Sequence, residues 1–382
     1  MKGEERMKKR TQKLSAVMLT AALLCGLAAG CGSGETGTTG AQTQAPGTTG
    51  AETTAAQTTA EAAGETAQAG STGTAELTLQ LAWGTADNEY DPFAIAAHVF
   101  SGIVTEKSGG RIALEFYPNS VLGAERDTFE GVSMGTIDMC LINNTPIGGF
   151  VPECQVLDMP YLYPDKETIW KIVDGEIGAV IDQAILDDYG VISLGVFDGG
   201  FRQMYNNVRP ILAPDDMKGI TMRSMENTVY LEMFKALGAN PTAMPFTEIF
   251  TGLQQSTVDG FEIGIATYYT NNFHEVTKYM SLTNHTFTPI RLLIGQDKWN
   301  SIPEDLQNIL LESVKEALPE ARQQNDANEE KMMGIIKDAG VEINEINDMN
   351  QFKEKCQDIW YLFEDEVGSD LLNSVIEACT KG

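Results

Sequence analysis

The chain has 382 residues and carries 26 Lys and Arg against 54 Asp and Glu, a formal net charge of −28. That sign excludes a nucleic-acid binder, which needs basic surface to displace counterions from phosphates. With 42 % hydrophobic residues the chain can build two ordinary domains, and six Cys are too few for a disulfide-built scaffold.

The charge is unevenly spread. Six of the 26 basic residues fall within the first thirteen positions, and the uncharged run Leu14 to Ala29 follows. A basic head, an apolar run shorter than the roughly 20 residues of a membrane span, and small residues after it read as a secretory signal over residues 1–30. The run ends Leu27-Ala28-Ala29-Gly30-Cys31, which resembles a bacterial lipobox, with Cys31 as the lipidated first residue of the mature chain. Ala28 departs from the usual Leu, and the alternative is a plain secretion signal cut near Ala29. Residues 32–75 hold no Lys, Arg, aromatic, Leu, Ile or Val. Such a stretch cannot bury enough apolar area to offset chain entropy, and reads as a flexible tether with an end-to-end distance of roughly 35–40 Å. Anchor and tether together place the protein on the outer face of the cytoplasmic membrane.

Order is expected from Leu77, where Leu77, Leu79 and Leu81 alternate with polar residues as in a half-buried strand. A helix is predicted over Pro92–Glu106 and a strand over Ile112–Phe116. A helix over Glu125–Met134 and a strand over Asp138–Ile142 come next. Further short strands are expected at Val191–Phe197 and Ile220–Arg223, each bounded by Gly, and a helix at Thr228–Leu237 closed by Gly238. Ser301-Ile302-Pro303-Glu304 has the pattern of a capping box opening a long amphipathic helix. Strands alternating with helices at this spacing predict an α/β architecture with mainly parallel sheets.

Chemistry-bearing motifs are sparse. Three His lie in the folded part, and His98, in an apolar helical stretch, is read as packing. There is no P-loop, no Gly-x-Ser-x-Gly elbow, no Cys-x-x-Cys pair and no zincin spacing after His274, so neither a metal nor a cofactor is expected. Cys140, in a strand, is read as a small buried hydrophobe, and pairings among Cys140, Cys154, Cys356 and Cys379 are open. The mature chain has seven Arg. Arg202, after Gly199-Gly200-Phe201, and Arg223, after Gly219-Ile220-Thr221-Met222, sit at strand ends, where ligands bind in open α/β sheets. A guanidinium there offers a planar fork for a carboxylate, the alternative being a local pair with one of the many Asp or Glu.

Several segments, in order, resemble the substrate-binding proteins of tripartite ATP-independent (TRAP) transporters. They are Tyr117-Pro118-Asn119 to Arg126, Gly135-Thr136-Ile137-Asp138, Met159-Pro160-Tyr161-Leu162, Gly200-Phe201-Arg202-Gln203, Asp216 to Arg223, Leu237 to Glu248, Val258 to Glu262 and Thr283-Asn284-His285. The resemblance covers residues 77–382. It implies a two-lobed, periplasmic-binding-protein-like α/β fold with a hinge and a long connecting helix. Lobe I would take 76–199 and 289–328, lobe II 200–288 and 329–382, with the last helices shared.

The resemblance also implies a site. Arg223 would form the ion pair with the substrate carboxylate and Arg202 a second basic contact. Glu125 and Asn143 would line the pocket from lobe I, with Phe246 as an aromatic wall, and Asn88 and Glu89 on the first strand-to-helix loop would border the cleft. The family often reads Asp-Gly-Gln-Glu-Asn-Pro where this chain has Asp259-Gly260-Phe261-Glu262-Ile263-Gly264, so Ile263 replaces a carboxylate-contacting Asn with a side chain that cannot donate. The implied function is a monomeric, lipid-anchored solute receptor that takes a small organic acid and hands it to a sodium-coupled membrane permease. The alternatives are a receptor presenting ligand to a membrane sensor kinase and a secreted hydrolase with two carboxylates in the cleft.

Overall fold

The computed structural model describes residues 75–380, so the secretory signal, Cys31 and the tether lie outside the described residues apart from Ala75. The chain begins β1 (Leu77–Trp83), α1 (Pro92–Ser108), β2 (Ile112–Tyr117), α2 (Glu125–Ser133) and β3 (Met139–Asn143). Helix α1 forms for readable reasons. The Asp91 carboxylate caps it by accepting from Phe93 N, Pro92 occupies the first turn, and Gly109 closes it at φ 62°. Short α3 (Asn144–Ile147), α4 (Lys166–Val173) and α5 (Glu176–Tyr189) lead to β4 (Val191–Asn206). Next come β5 (Thr221–Ser224), α6 (Thr228–Ala236), β6 (Asn240–Ala243), α7 (Ile249–Gln254), β7 (Gly260–Gly264), α8 (Ile265–Thr270), β8 (Tyr279–Leu282) and β9 (Phe287–Gly295). The chain ends in α9 (Gln296–Ser301), the 35-residue α10 (Glu304–Asp338), β10 (Glu342–Glu345) and α11 (Asn350–Cys356), α12 (Ile359–Leu362), α13 (Glu364–Val367) and α14 (Ser369–Thr380).

The strands follow the order β2-β1-β3-β9-β4-β7-β5-β6, with β8 on β4 and β10 on β8. The pairs β1/β2, β1/β3, β5/β6, β5/β7 and β8/β10 are parallel, while β3/β9, β4/β9, β4/β7 and β4/β8 are antiparallel. The expectation of mainly parallel sheets is therefore corrected to a mixed one. Hydrophobic alternation specifies which face a side chain takes, not which way its neighbour runs.

Strand β4 is the structural pivot. Its first part, to Asp198, pairs with β9 in the β1–β3 half; its last part, from Arg202, pairs with β7 in the other half. From sequence alone this strand is expected to end at Phe197, ahead of two glycines. Those glycines instead let it bend and continue. Register against β9 shifts between Asp198 and Phe201, Gly200 has φ +78°, and a Cβ on Gly199 would lie 2.5 Å from Thr288.

Helix α10 spans both halves. Its early stripe, Leu306, Leu310, Val314, Ala317 and Ala321, packs into the core with α1 and β1, whereas Met332 and Ile336 join a separate core around Tyr205, Phe261 and Tyr268. A third core joins the C-terminal residues Phe352, Phe363, Leu372 and Val375 to Phe129, Ile169 and Ile185 and to Ile220, Tyr230 and Phe234.

Two local expectations are corrected. Ser301 does not cap α10; it ends α9, and its hydroxyl donates to Lys298 O at 2.6 Å, leaving Pro303 in the cap position without a side-chain bond. His98 is not core packing: its ring is 57 % exposed, bonds Asp87 at 2.7 Å and meets Phe116 edge-on. Cys140, Cys154 and Cys356 are buried free thiols and Cys379 is half-buried, with burial pushing all four upward, so they behave as apolar groups rather than nucleophiles.

Candidate functional site

The C-terminal ends of β3, β5 and β7, the bend of β4 and the start of α2 converge on one cleft, with about 720 Å³ of unfilled space when its open mouth is counted. Six residues expected from sequence line it: Glu125, Asn143, Arg202, Arg223, Phe246 and Ile263.

The two arginines are in different electrostatic states. Arg202 is 2 % exposed and wholly committed. Its Nε and Nη2 donate to the two carboxylate oxygens of Glu262, Nη2 also to Glu262 O at 3.0 Å, and Nη1 to the Thr288 hydroxyl at 3.0 Å. Burial pushes the Glu262 carboxyl up, but Arg202 and His285 more than offset it and hold it at about 2. Arg202 therefore reaches the cavity as half of a closed ion pair rather than as a free second cation.

Arg223 is 3 % exposed, and only its Nε has a hydrogen-bond acceptor among the described residues, Met244 O at 2.8 Å. Its Nη1 stands 3.8 Å from Glu262 Oε1, too far for a hydrogen bond, and that carboxylate already serves Arg202. Burial, together with Arg202 nearby, lowers the Arg223 guanidinium to about 10 despite Glu262. A desolvated cation with unpaired terminal donors has the geometry and charge to accept a carboxylate as a bidentate partner.

Across the cavity, Glu125 sits in the first turn of α2 and accepts Asn143 N at 2.8 Å on one oxygen. Burial raises this carboxyl, opposed by the Asn143 N–H and by both arginines. The Asn143 side chain caps α3 through Oδ1 and points Nδ2 at Met225 Sδ, 3.7 Å away. Phe246 stands edge-on to Phe273 at 5.8 Å, and Ile263 supplies apolar wall beside Glu262.

Asn88 and Glu89 do not line this cavity. Asn88 folds back, its Oδ1 accepting Tyr90 N at 2.9 Å, and Glu89 borders a separate hollow with Asp87 and His98. Lining residues that the sequence reading missed include Thr85, Arg126, Glu226, Thr267 and Thr288. Arg126 and Glu226 were available as signals, one adjoining Glu125 and the other three residues past Arg223. The remaining four arginines are structural: Arg111 pairs with Glu76 and Asp305, Arg291 with Asp182, Arg322 with Asp174, and Arg209 donates to the backbone carbonyls of Asp216 and Lys218. Among the described residues no group of three or more His, Cys, Asp or Glu is placed to hold a metal ion.

Two buried carboxylates tie the β1–β3 half to the β5–β7 half beside the cavity. Asp158 accepts Asn227 Nδ2 at 3.0 Å and the Thr145 hydroxyl at 2.7 Å, and burial raises it to about 7. Asp91 accepts the Thr270 hydroxyl at 2.9 Å and the Thr85 hydroxyl at 2.7 Å, and burial raises it to about 6.

Comparison with known proteins bears on the fold and the family. The family model for bacterial extracellular solute-binding protein, family 7 (DctP) matches residues 83–366. The 2,3-diketo-L-gulonate-binding periplasmic protein YiaO of Escherichia coli is 32 % identical over 308 residues, 80 % of this chain and 94 % of its own. A TRAP periplasmic solute binding protein from Polaromonas, solved with D-erythronate, superposes with a TM-score of 0.74 at 30 % identity, covering 78 % of this chain and 98 % of that one. The sugar acid binding protein DctPAm from Advenella mimigardefordensis, solved with galactonate, gives 0.76 at 28 % identity over 80 % and 98 %. These are solute receptors, and this chain belongs to the bacterial extracellular solute-binding proteins of family 7, the DctP family of TRAP receptors.

Proposed function

We propose that this protein is the extracytoplasmic receptor of a TRAP transporter, closing two lobes over a small organic acid and delivering it to a sodium-coupled permease. The observation that carries the reading is Arg223: a buried guanidinium at a strand end, open to the cavity, with its neighbour Arg202 already neutralised. In this reading lobe I is 76–199 with 289–328 and lobe II is 200–288 with 329–382, the last helices being shared because α14 lies on α4 and α5, and the bend at Gly199-Gly200 lies at their junction. Arg223 grips the carboxylate. Glu125 and Asn143 meet the rest of the ligand, Phe246 and Ile263 wall it in, and Arg202 holds Glu262 in place. Asn88 and Glu89 stand outside the grip. The protein acts without turnover, as a monomer, tethered through a lipid on Cys31. The relatives named for gulonate derivatives, erythronate and galactonate support an acid of similar size.

The test is a thermal-shift screen of the mature protein against C4-dicarboxylates, aldonates, uronates, sialic acid, 2-oxo acids and aromatic acids, followed by mass spectrometry of the bound compound. The reading expects at least one acid to raise Tm by several degrees and to be recovered unchanged. No acid binding, or a bound acid returned as product, overturns it. Radioactive palmitate incorporated into the wild type but not into Cys31→Ala checks the anchor.

A further inference from the structure

We propose that Asn227 and Thr270 are the closure latch of this receptor: each donates a hydrogen bond from lobe II into a buried lobe I carboxylate, and neither contact involves the ligand. The proposal rests on the two-lobe reading given above. Asn227 opens α6 and uses its two side-chain ends separately. Oδ1 caps its own helix by accepting Val229 N at 2.8 Å, while Nδ2 crosses to Asp158 Oδ2 and to Thr145 O, both at 3.0 Å. Thr270 ends α8, and its hydroxyl, which also faces Ala266 O of its own helix at 3.0 Å, reaches Asp91 Oδ2 at 2.9 Å, with Asn271 Nδ2 adding a longer contact at 3.4 Å.

Both acceptors are 0 % exposed, and each is fixed within lobe I by a threonine, Thr145 for Asp158 and Thr85 for Asp91. The bridges stand at different places on the cavity, one next to Asn143 and Pro146, the other next to Thr85 and Thr267. Neither Asn227 nor Thr270 lines it. A separation of the lobes would strip each carboxylate of its cross-lobe donor and admit water. The bridges therefore distinguish closed from open and do not hold either lobe together by itself. A ligand caught by Arg223 gains affinity in proportion to the fraction of receptor able to close, so the latch raises affinity without touching the ligand.

The test uses two substitutions that spare local structure. Asn227→Ser keeps a helix cap but cannot reach Asp158, and Thr270→Val is isosteric without the hydroxyl. Each is expected to weaken binding of the best acid from the screen by about tenfold, the scale of a buried acceptor left without its donor, mainly through faster dissociation. The ligand-free Tm should change little. Small-angle scattering of the ligand-free variants should show a shift toward the more extended form. Unchanged affinity and dissociation rate in both variants overturn the latch. So does a ligand-free Tm that falls as far as the liganded one, which marks ordinary structural bonds. If the wild type binds no acid at all, it is the receptor reading that fails. The latch is then judged by scattering alone, where wild-type compactness in both variants overturns it.

Discussion

Arg202 gives one edge of its guanidinium, Nε and Nη2, to both carboxylate oxygens of Glu262, and both residues are buried beside the cavity. Because both charges are buried, removing one leaves the other uncompensated. Glu262→Gln is expected to destabilise the protein by about 3–5 kcal/mol, the cost of breaking a buried pair, with Arg202 and Arg223 left facing each other. Denaturant unfolding measures it; a loss under about 1 kcal/mol would show that water or a neighbouring carboxylate compensates Arg202.

Arg223 should behave in the opposite way. With its terminal donors unpaired, its burial costs the ligand-free fold, so Arg223→Met should leave the ligand-free Tm unchanged or raised. Ligand-induced stabilisation should vanish, with affinity falling about 30-fold or more. Arg223→Lys should also weaken binding, because a point charge cannot reproduce the fork. Titration calorimetry on both variants decides it, and retained affinity in Arg223→Met would remove this residue from the site.

Stability should peak in mildly acidic solution. Asp91 and Asp158 have folded values raised to about 6 and about 7, so the folded state holds more protons than the unfolded one above pH 4. Their favourable contribution is full below the ordinary carboxylate value and is lost as pH rises through 6 and 7. Glu262, held at about 2, acts with the other sign: its contribution is present above its ordinary value and lost as pH falls toward 2. Tm measured from pH 3 to 8 should pass through a maximum near pH 4–6. Asp158→Asn should flatten the decline between pH 5 and 8; an unaltered slope would assign that decline to other groups.

Gly200→Ala tests the bend. The residue has φ +78°, and a Cβ would fall 1.9 Å from Glu329 Oε1, an atom of a side chain that Lys166 holds together with Asp198 and Asp326. The left-handed backbone alone costs roughly 1–2 kcal/mol for an alanine, and displacing Glu329 adds to it. A Tm lower by several degrees is expected, with slower ligand-induced closure in stopped-flow fluorescence. Wild-type behaviour in both would show that β4 accommodates the methyl without strain.

Much of the fold was legible because local signals agreed. Asp91-Pro92 and Gly109 bracket α1, Gly238 follows α6, and Leu79 and Leu81 alternate into the core. What escaped was relational. Gly199-Gly200 looks the same in sequence whether a strand stops or bends, and strand direction leaves no mark on alternation. At the site, the strand-end arginines were visible, but not that Glu262 takes one and spares the other. That division depends on β4 and β7 pairing antiparallel, 60 residues apart in the chain. Asn227 and Asp158, 69 residues apart, carry no motif that joins them.

The core that unites Phe129, Ile169 and Ile185 with Leu371, Leu372 and Val375 sets an order in time. Helix α14 is the last described element of the chain, yet it lies on α4 and α5, which are made roughly 200 residues earlier. The first-made half therefore cannot finish its core while the chain is still emerging, and domain-by-domain folding from the N-terminus is denied to it. Completion of that core waits on the C-terminal helices, whichever part of the chain is made first.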